Sequence, residues 1–371
     1  MGMLRVAWDN RLAKRDNAGT GIYAARLLEQ FANRPDVQMD VLNGWPYLRR
    51  GSLATAALRT AGDLFWTHVR LPTLLWKRGV DLLHAPAFVA PVASPCPVVI
   101  TIHDVTYLLY PWHFSRWWTR YLRLVMPPAV RSAAAIICGS ENSKRDIVKA
   151  YGIASNKVRV VPYGVDHERF HAGATLERNW AQTLGMRDGY VLHVGTFSYR
   201  KNIPTLLHAV AHLRAKGKWG DRQVVLAGSQ NLSIKGGHEV FDTIRELDLA
   251  DIVVLTGHIP DEHIPGLYAH ASMLVMPSLY EGFGFPVLEA MAVGTPVVCS
   301  NASSLPEVGG DAAIFFPPQD QHALACTMED LIQNPSMAEQ LRRKGFEQAR
   351  QFTWQRTAEQ TVGIYREVAK A

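Results

Sequence analysis

Along almost the whole chain, continuous apolar runs of strand length alternate with segments whose apolar residues recur at helical spacing. In the first half the runs are "LRVAW", "VQMDVL", "VDLLHA", "PVVITIHD" and "AAIICGS", with helical patterns over 20–31 and 142–151 between them. Runs without polar alternation belong to strands covered on both faces, so the pattern predicts an α/β fold with a parallel sheet flanked by helices. After "KVRVVPYGVDHERF" the series starts again with "YVLHVGT", "RQVVLAGS", "DIVVLTGH", "SMLVMPS" and "TPVVCS". Two doubly wound domains follow, over 1–165 and 166–352, with Pro162, Gly164 and Asp166 at the joint. Residues 353–371 place Trp354, Thr357, Ala358, Thr361, Ile364, Tyr365 and Val368 near helical spacing, which predicts a terminal helix with one apolar face.

Composition adds a compartment and a polarity. At 371 residues, 48% hydrophobic and 19% charged, each half can bury a core of its own. Cys96, Cys138, Cys299 and Cys326 are widely spaced without a C-x-x-C pair and read as buried thiols of a reducing compartment. The first thirty residues lack the apolar core of a secretory signal, and a cytoplasmic protein without a membrane span is expected. The net charge of +6 is unevenly divided: residues 1–165 carry 21 basic and 10 acidic side chains, the remainder 18 and 23. A cationic first half points to an acidic partner surface, nucleic acid or anionic lipid.

In open parallel sheets ligands bind beyond the carboxyl ends of the strands, which directs attention to the loops that follow each run. Glu281 follows "SMLVMPS", and "FPVLEAMAVG" reads as a helix with Pro286 in its first turn and Gly294 as its cap. Gly282 and Gly284 allow close backbone approach, and amides at that helix start suit an anion such as a diphosphate. Glu289, eight residues beyond Glu281, is placed to accept hydrogen bonds from a vicinal diol such as that of ribose. On spacing alone, a solvated loop glutamate and a surface helix glutamate fit as well. In "HVGTFSYRKN" Arg200 and Lys201 lie between a strand end and a helix whose cap would be Asn202, an arrangement that makes a phosphate clamp out of an otherwise ordinary basic pair.

In "NAGTGIYAARLL" Gly19, Thr20 and Gly21 open the first helix. With Asp40 downstream they imitate a dinucleotide fingerprint, but "DNRLAKRDNA" intervenes where that fingerprint needs a tight turn. His103 and Asp104 end the run "VVITIHD" at a carboxyl edge, where an imidazole can polarise an acceptor hydroxyl or touch a transferred sugar. Trp117, Trp118 and Tyr121 mix with Arg116, Arg120 and Arg123, the composition of an interfacial helix and equally of one packed on the sheet.

Taken jointly, E-x7-E from Glu281 to Glu289, "RKN" after "VGT", "VPYGVD" at the joint and "IHD" in the first half resemble the retaining glycosyltransferases of family 4, over nearly the whole chain. The resemblance implies the GT-B fold: two facing Rossmann-like domains with a C-terminal helix, here 353–371, crossing back to the first. It implies a nucleotide-sugar donor held mainly by the second domain. Arg200 and Lys201 would bind the diphosphate, and Glu281 the sugar hydroxyls with Gly282 and the amides of Phe283 and Gly284. Glu289 would hold the ribose, and backbone near His258 and Ile259 would face the base. Gly21 would approach the phosphate and His103 the sugar, with Gly19, Thr20, Asp104 and Tyr107 on the acceptor side.

The resemblance further implies retention at the anomeric carbon without a settled protein nucleophile, the usual proposal being a front-face reaction in which the leaving phosphate helps to deprotonate the acceptor. The chain has no D-x-D triplet, so no metal cofactor is expected. "IHDVTYLLYP" and "VGTFSYRKNIPTLLHAV" look most like the mannosyltransferase-like branch that builds bacterial surface polysaccharides, which favours GDP-mannose. UDP-glucose, UDP-N-acetylglucosamine and deoxysugar nucleotides stay open. A glycan or lipid-linked oligosaccharide acceptor suits the basic first half, with the enzyme peripheral on the inner membrane and no nucleic acid involved. An NAD-binding dehydrogenase using the Gly19 loop would leave Arg200, Lys201, Glu281 and Glu289 without a purpose. A non-catalytic sugar-nucleotide-binding protein would use them all.

Overall fold

The continuous apolar runs become strands, and the central ones are buried on both faces. The computed structural model describes residues 2–11, 19–44, 61–114, 116–230 and 235–370. They fall into two units, one of Met1–Leu109, Ser115–Gly164 and Trp354–Ala371, the other of Tyr110–Phe114 and Val165–Thr353.

The first unit holds β1 (Leu4–Asp9), β2 (Val37–Leu42), β3 (Leu82–Ala85), β4 (Val98–Thr101), β5 (Ala135–Cys138) and β6 (Val158–Val160). Their order across the sheet is β2-β1-β3-β4-β5-β6, all parallel, with Val6 beside Leu82, Leu83 beside Val98 and Ile100 beside Ile136. Every residue of β3, β4 and β5 is buried. The helix Gly19–Ala32 buries Tyr23, Ala24, Leu27 and Phe31, one stripe at helical spacing. The helix Glu141–Tyr151 starts at Ser140, whose side chain accepts the Ser143 amide at 3.0 Å, and stops at Gly152 in the left-handed region.

The second unit holds β7 (Tyr190–Val194), β8 (Val224–Ala227), β9 (Val253–Gly257), β10 (Ala271–Met276), β11 (Val297–Ser300) and β12 (Ala313–Phe316), ordered β12-β11-β10-β7-β8-β9 and again parallel. Leu206, Leu207, Val210 and Leu213 of the helix Ile203–Ala215 share its core with Val224, Leu226, Leu324 and Met328.

Each sheet has one strand more than the five runs predict. Both extra strands, β6 and β12, lie at a sheet edge. The first is three residues long, just ahead of the joint at Pro162, Gly164 and Asp166, and the second leaves three of its four residues half-buried. The run "AAIFF" of β12 is as apolar as the central ones and was overlooked, whereas β2 and β9, also at sheet edges, were read. Of the cysteines, Cys138 and Cys299 are buried thiols, but Cys96 is half-buried and Cys326 exposed.

The helix Trp354–Lys370 belongs to the first unit, where it packs against the helix Gly19–Ala32, β3 and β5. Its buried face includes Trp354, Thr357, Ala358, Thr361, Ile364, Tyr365 and Val368. A polar chain runs through this contact. His84 in β3 is fully buried, its Nδ1 paired with the Tyr365 hydroxyl and its Nε2 2.7 Å from the Thr101 hydroxyl, which lies 3.1 Å from that of Tyr23. Burial pushes the His84 pKa down to about 3, so the ring is neutral and one nitrogen donates while the other accepts. Replacing Tyr365 by Phe keeps the ring packing and strands one imidazole nitrogen. Urea denaturation should show a loss of about 1–3 kcal/mol, and a variant within experimental error of wild type would mean that the apolar face alone seats this helix.

Candidate active site

The strand order of the second unit reverses between β7 and β10, which are neighbours although three strands apart in sequence. Such a switch point leaves a crevice at the carboxyl ends, because the flanking connections depart in opposite directions. Two loops reach it. The one after β7 carries the short helical turn Tyr199–Lys201, and the one after β10 carries Glu281 and leads into the helix Phe285–Val293.

The loops meet through charge. Lys201 Nζ donates to Glu281 Oε1 at 2.6 Å, and Arg200 Nη1 donates to Glu281 Oε2 at 2.9 Å and to the Tyr280 carbonyl at 3.0 Å. Lys201 and Glu281 are 6% and 7% exposed, so the ion pair lies out of bulk water. Burial alone would raise the Glu281 pKa, but the charges of Lys201 and Arg200 outweigh it and hold the carboxyl at about 2. Burial works the other way on Lys201, whose ammonium Glu281 sustains.

Glycine makes the room. A Cβ on Gly195 would lie 2.8 Å from Lys201 Cε, and one on Gly228, just after β8, would lie 2.3 Å from the Gly195 carbonyl oxygen. Asn202 is not a side-chain cap. It turns the chain in the left-handed region at φ +53°, and its Nδ2 ties the loop to the carbonyls of Pro277 and Pro318 at 3.0 and 2.5 Å.

Four serines absent from the sequence reading support Glu281. Ser278 Oγ donates to its Oε1 at 2.7 Å, and Ser300 Oγ donates to the Ser278 carbonyl at 2.5 Å. Ser303 Oγ accepts the Glu281 amide at 2.8 Å, while Ser304 Oγ reaches the carbonyls of Glu281 and Phe283 at 2.9 and 2.6 Å. The "CSNASS" that ends β11 carried the signal, a serine cluster at a carboxyl edge. His193 in β7 was missed as well. It is fully buried, donates from Nδ1 to the Val275 carbonyl at 3.0 Å, and has its pKa pushed down to about 4 by burial and by the nearby Lys201 charge.

The other anticipated residues are spread more widely. Gly282, Phe283 and Gly284 form the turn into the helix, with Gly284 at φ +123°. Glu289, half-buried on that helix, accepts the Tyr268 hydroxyl at 2.8 Å, and burial raises its pKa. His258 is exposed and Ile259 buried just after β9.

In the first unit Gly19, Thr20 and Gly21 form the half-buried first turn of their helix, and Asn17 and Ala18 of the same motif lie outside the described residues. His103 is buried, with Nδ1 2.8 Å from the Tyr163 hydroxyl and Nε2 3.0 Å from the Pro86 carbonyl. Both ring nitrogens thus serve the protein itself. Asp104 is half-buried and accepts the Thr106 amide at 2.8 Å. Tyr107 is buried with its hydroxyl paired to that of Tyr151, so it is packed inside the unit and not presented to a ligand. On the helix Arg116–Ser132 the solvent face carries Arg116, Trp117, Arg120, Arg123 and Leu124, but Tyr121 is buried under a stacked Trp118 and is no part of that face.

Residues 177–348 match the family described as "Glycosyl transferases group 1", and residues 18–169 match "Glycosyltransferase Family 4". The O-antigen chain mannosyltransferase B of Escherichia coli is 30% identical over 77% of this chain and 74% of its own length. The chain belongs to glycosyltransferase family 4. The MMP alpha-(1->4)-mannosyltransferase of Mycolicibacterium hassiacum is 33% identical to the family-4 chain, over 68% of this chain and 60% of that one. These likenesses put it in a mannosyltransferase-like branch. Its GT-B fold is shared with HepE from Anabaena, solved with UDP and glucose, at a TM-score of 0.73 and 20% identity over 98% and 100% of the two chains.

Ser303 offers a test of how the family-4 site is held. It is a non-glycine residue at φ +51°, where a Cβ is strained by roughly 1–2 kcal/mol. Ser303→Gly relieves that strain while losing the acceptor for the Glu281 amide. Ser303→Ala keeps the strain and loses the acceptor, whereas Ser303→Asn tolerates the conformation and restores an acceptor oxygen. Thermal unfolding should rank Ser and Asn above Gly, and Gly above Ala by about 1 kcal/mol. Alanine melting with asparagine would show that the hydroxyl does not set the loop.

Proposed function

We propose that this family-4 glycosyltransferase moves mannose from GDP-mannose to a glycan or lipid-linked oligosaccharide, with retention at the anomeric carbon, in the synthesis of a bacterial surface polysaccharide. The observation that carries the reading is the Arg200–Lys201–Glu281 cluster at the switch point of the second unit. The choice of mannose is supported by the two mannosyltransferase relatives, and retention by family membership.

In this reading the donor diphosphate takes hydrogen bonds from Arg200 and Lys201, and Glu281 turns its remaining acceptor capacity to the sugar hydroxyls. Gly282, Phe283 and Gly284 bring their backbone to the sugar, Glu289 holds the ribose, and His258 and Ile259 flank the base. As the bond between the anomeric carbon and the phosphate oxygen breaks, negative charge grows on the diphosphate between two fixed cations. The acceptor oxygen bonds to the same face of that carbon, and its proton passes to the departing diphosphate. Positive side chains do the work a metal does in other transferases, so no cofactor is required.

The site geometry changes which variant tests this best. Lys201 is buried, and its removal strands a buried carboxylate, a change that costs about 3–5 kcal/mol in stability and confuses the kinetics. The Arg200 side chain is 22% exposed and is the cleaner probe. In EDTA with GDP-mannose, Arg200→Ala should lower kcat on the order of 10²–10³, roughly 3–4 kcal/mol, with a smaller change in donor KM. Arg200→Lys should recover part of it. A folded Arg200→Ala enzyme with near wild-type turnover would remove the cluster from the reaction.

A membrane-bound acceptor is the natural partner for the exposed face of the helix Arg116–Ser132. Trp117 is 67% exposed and Leu124 76%, with the Arg120 guanidinium 5.6 Å above the Trp117 ring. Arginine and tryptophan sharing one solvent face fit the headgroup zone of anionic lipid. No helix among the described residues is long and apolar enough to cross a membrane. Sedimentation with phosphatidylglycerol vesicles should therefore decline as salt rises and be lost when Arg116, Arg120 and Arg123 are all changed to Glu. Equal sedimentation of the triple variant would transfer the attachment elsewhere.

A further inference from the structure

The sheet of the first unit also reverses its order, between β1 and β3, so a second crevice belongs at the carboxyl ends of those two strands. The loop leaving β3 runs through Pro86, Ala87 and Phe88. Residues 82–87 and 89–91 are all buried, and Phe88 between them is half-buried. Its φ is +64°, a conformation that a bulky side chain adopts only under constraint.

Four non-glycine residues among those described share a positive φ. Asp248 lies just beyond the end of the helix Gly237–Glu246, an ordinary place for it. Asn202 and Ser303 shape the loops of the ionic cluster. Phe88 is the fourth, and it too stands beside a switch point. It is held there from both sides. Its amide donates to the Thr101 carbonyl at 3.1 Å, His103 Nε2 donates to the Pro86 carbonyl at 3.0 Å, and the Phe88 ring meets the His103 ring edge to face at 5.5 Å. His103, with both nitrogens engaged, shapes this loop and presents the neighbouring ring.

We propose that Phe88 is the carbohydrate platform of the acceptor subsite, its ring stacking on the apolar C–H face of a pyranose, with His103 as a positioning residue. A sugar ring offers few apolar atoms, and they lie on one face. A rigid aromatic surface of fixed orientation is the side chain that can cover them at low entropic cost. Strain at such a position is retained where the surrounding structure enforces it. This inference rests on the glycosyl-transfer reading and deepens it on the acceptor side.

The test is saturation-transfer NMR with methyl α-D-mannoside and methyl α-D-glucoside as probes. Irradiating the aromatic protons of wild type should saturate the ring C–H protons of at least one probe. Phe88→Gly should reduce that transfer at least threefold, and Phe88→Trp should retain it. Glycine adopts φ +64° without strain, so Phe88→Gly should melt no lower than Phe88→Ala, which guards against simple unfolding. Equal transfer from wild type and Phe88→Gly, or none from either probe, overturns the proposal. So does a parallel loss of GDP-mannose affinity in Phe88→Gly, measured by calorimetry, since that would mark a structural role. Failure of wild type to bind any nucleotide sugar counts instead against the donor reading, while the mannoside signal still decides the platform.

Discussion

The second unit is organised around one constraint: a carboxylate and an ammonium removed from water must satisfy each other. Glu281, with its pKa held at about 2, is stable in its crevice only while Lys201 and Arg200 face it. The glycines that admit Lys201, the asparagine that turns its loop and the serines that pin Glu281 all serve that encounter. A pair of this kind adds little net stability, because desolvation consumes most of the attraction. Its value lies in placement. The two cations are fixed by a protein carboxylate before any ligand arrives, so their geometry is organised in advance.

Much of this could be read in the sequence, for reasons that differ by region. Strands such as "VVIT" and "AIIC" announce themselves because burial on both faces leaves no polar residue to blur the run. The three-residue strand Val158–Val160 leaves too short a run to be counted, and it went unread just before the joint at Pro162, Gly164 and Asp166. Arg200, Lys201 and Glu281 were legible jointly, through the resemblance of "RKN", E-x7-E, "VPYGVD" and "IHD" to family 4, since singly each fits a solvated residue as well. Ser278, Ser300, Ser303 and Ser304 were not, since a serine's role depends on what stands opposite its hydroxyl, and that is set by folding.

His103 and Tyr107 show the same limit from the other side. Both sit in a conspicuous motif at a carboxyl edge, yet Tyr107 pairs with Tyr151 and His103 with Tyr163 and Pro86. A motif locates a functional neighbourhood. Which of its members faces outward is decided by packing, and here a phenylalanine in an unremarked "APAF" has the more exposed position.

The helix Trp354–Lys370 has a consequence for how the chain is made. It follows the second unit in sequence but belongs to the first. The residues from Val165 to Thr353, which with the earlier Tyr110–Phe114 make up the second unit, can fold as soon as they leave the ribosome, whereas the first unit must wait with His84 Nδ1 lacking the Tyr365 hydroxyl. Synthesis order and completion order are therefore opposite, and the unit made first spends the longer time vulnerable to proteases and to aggregation.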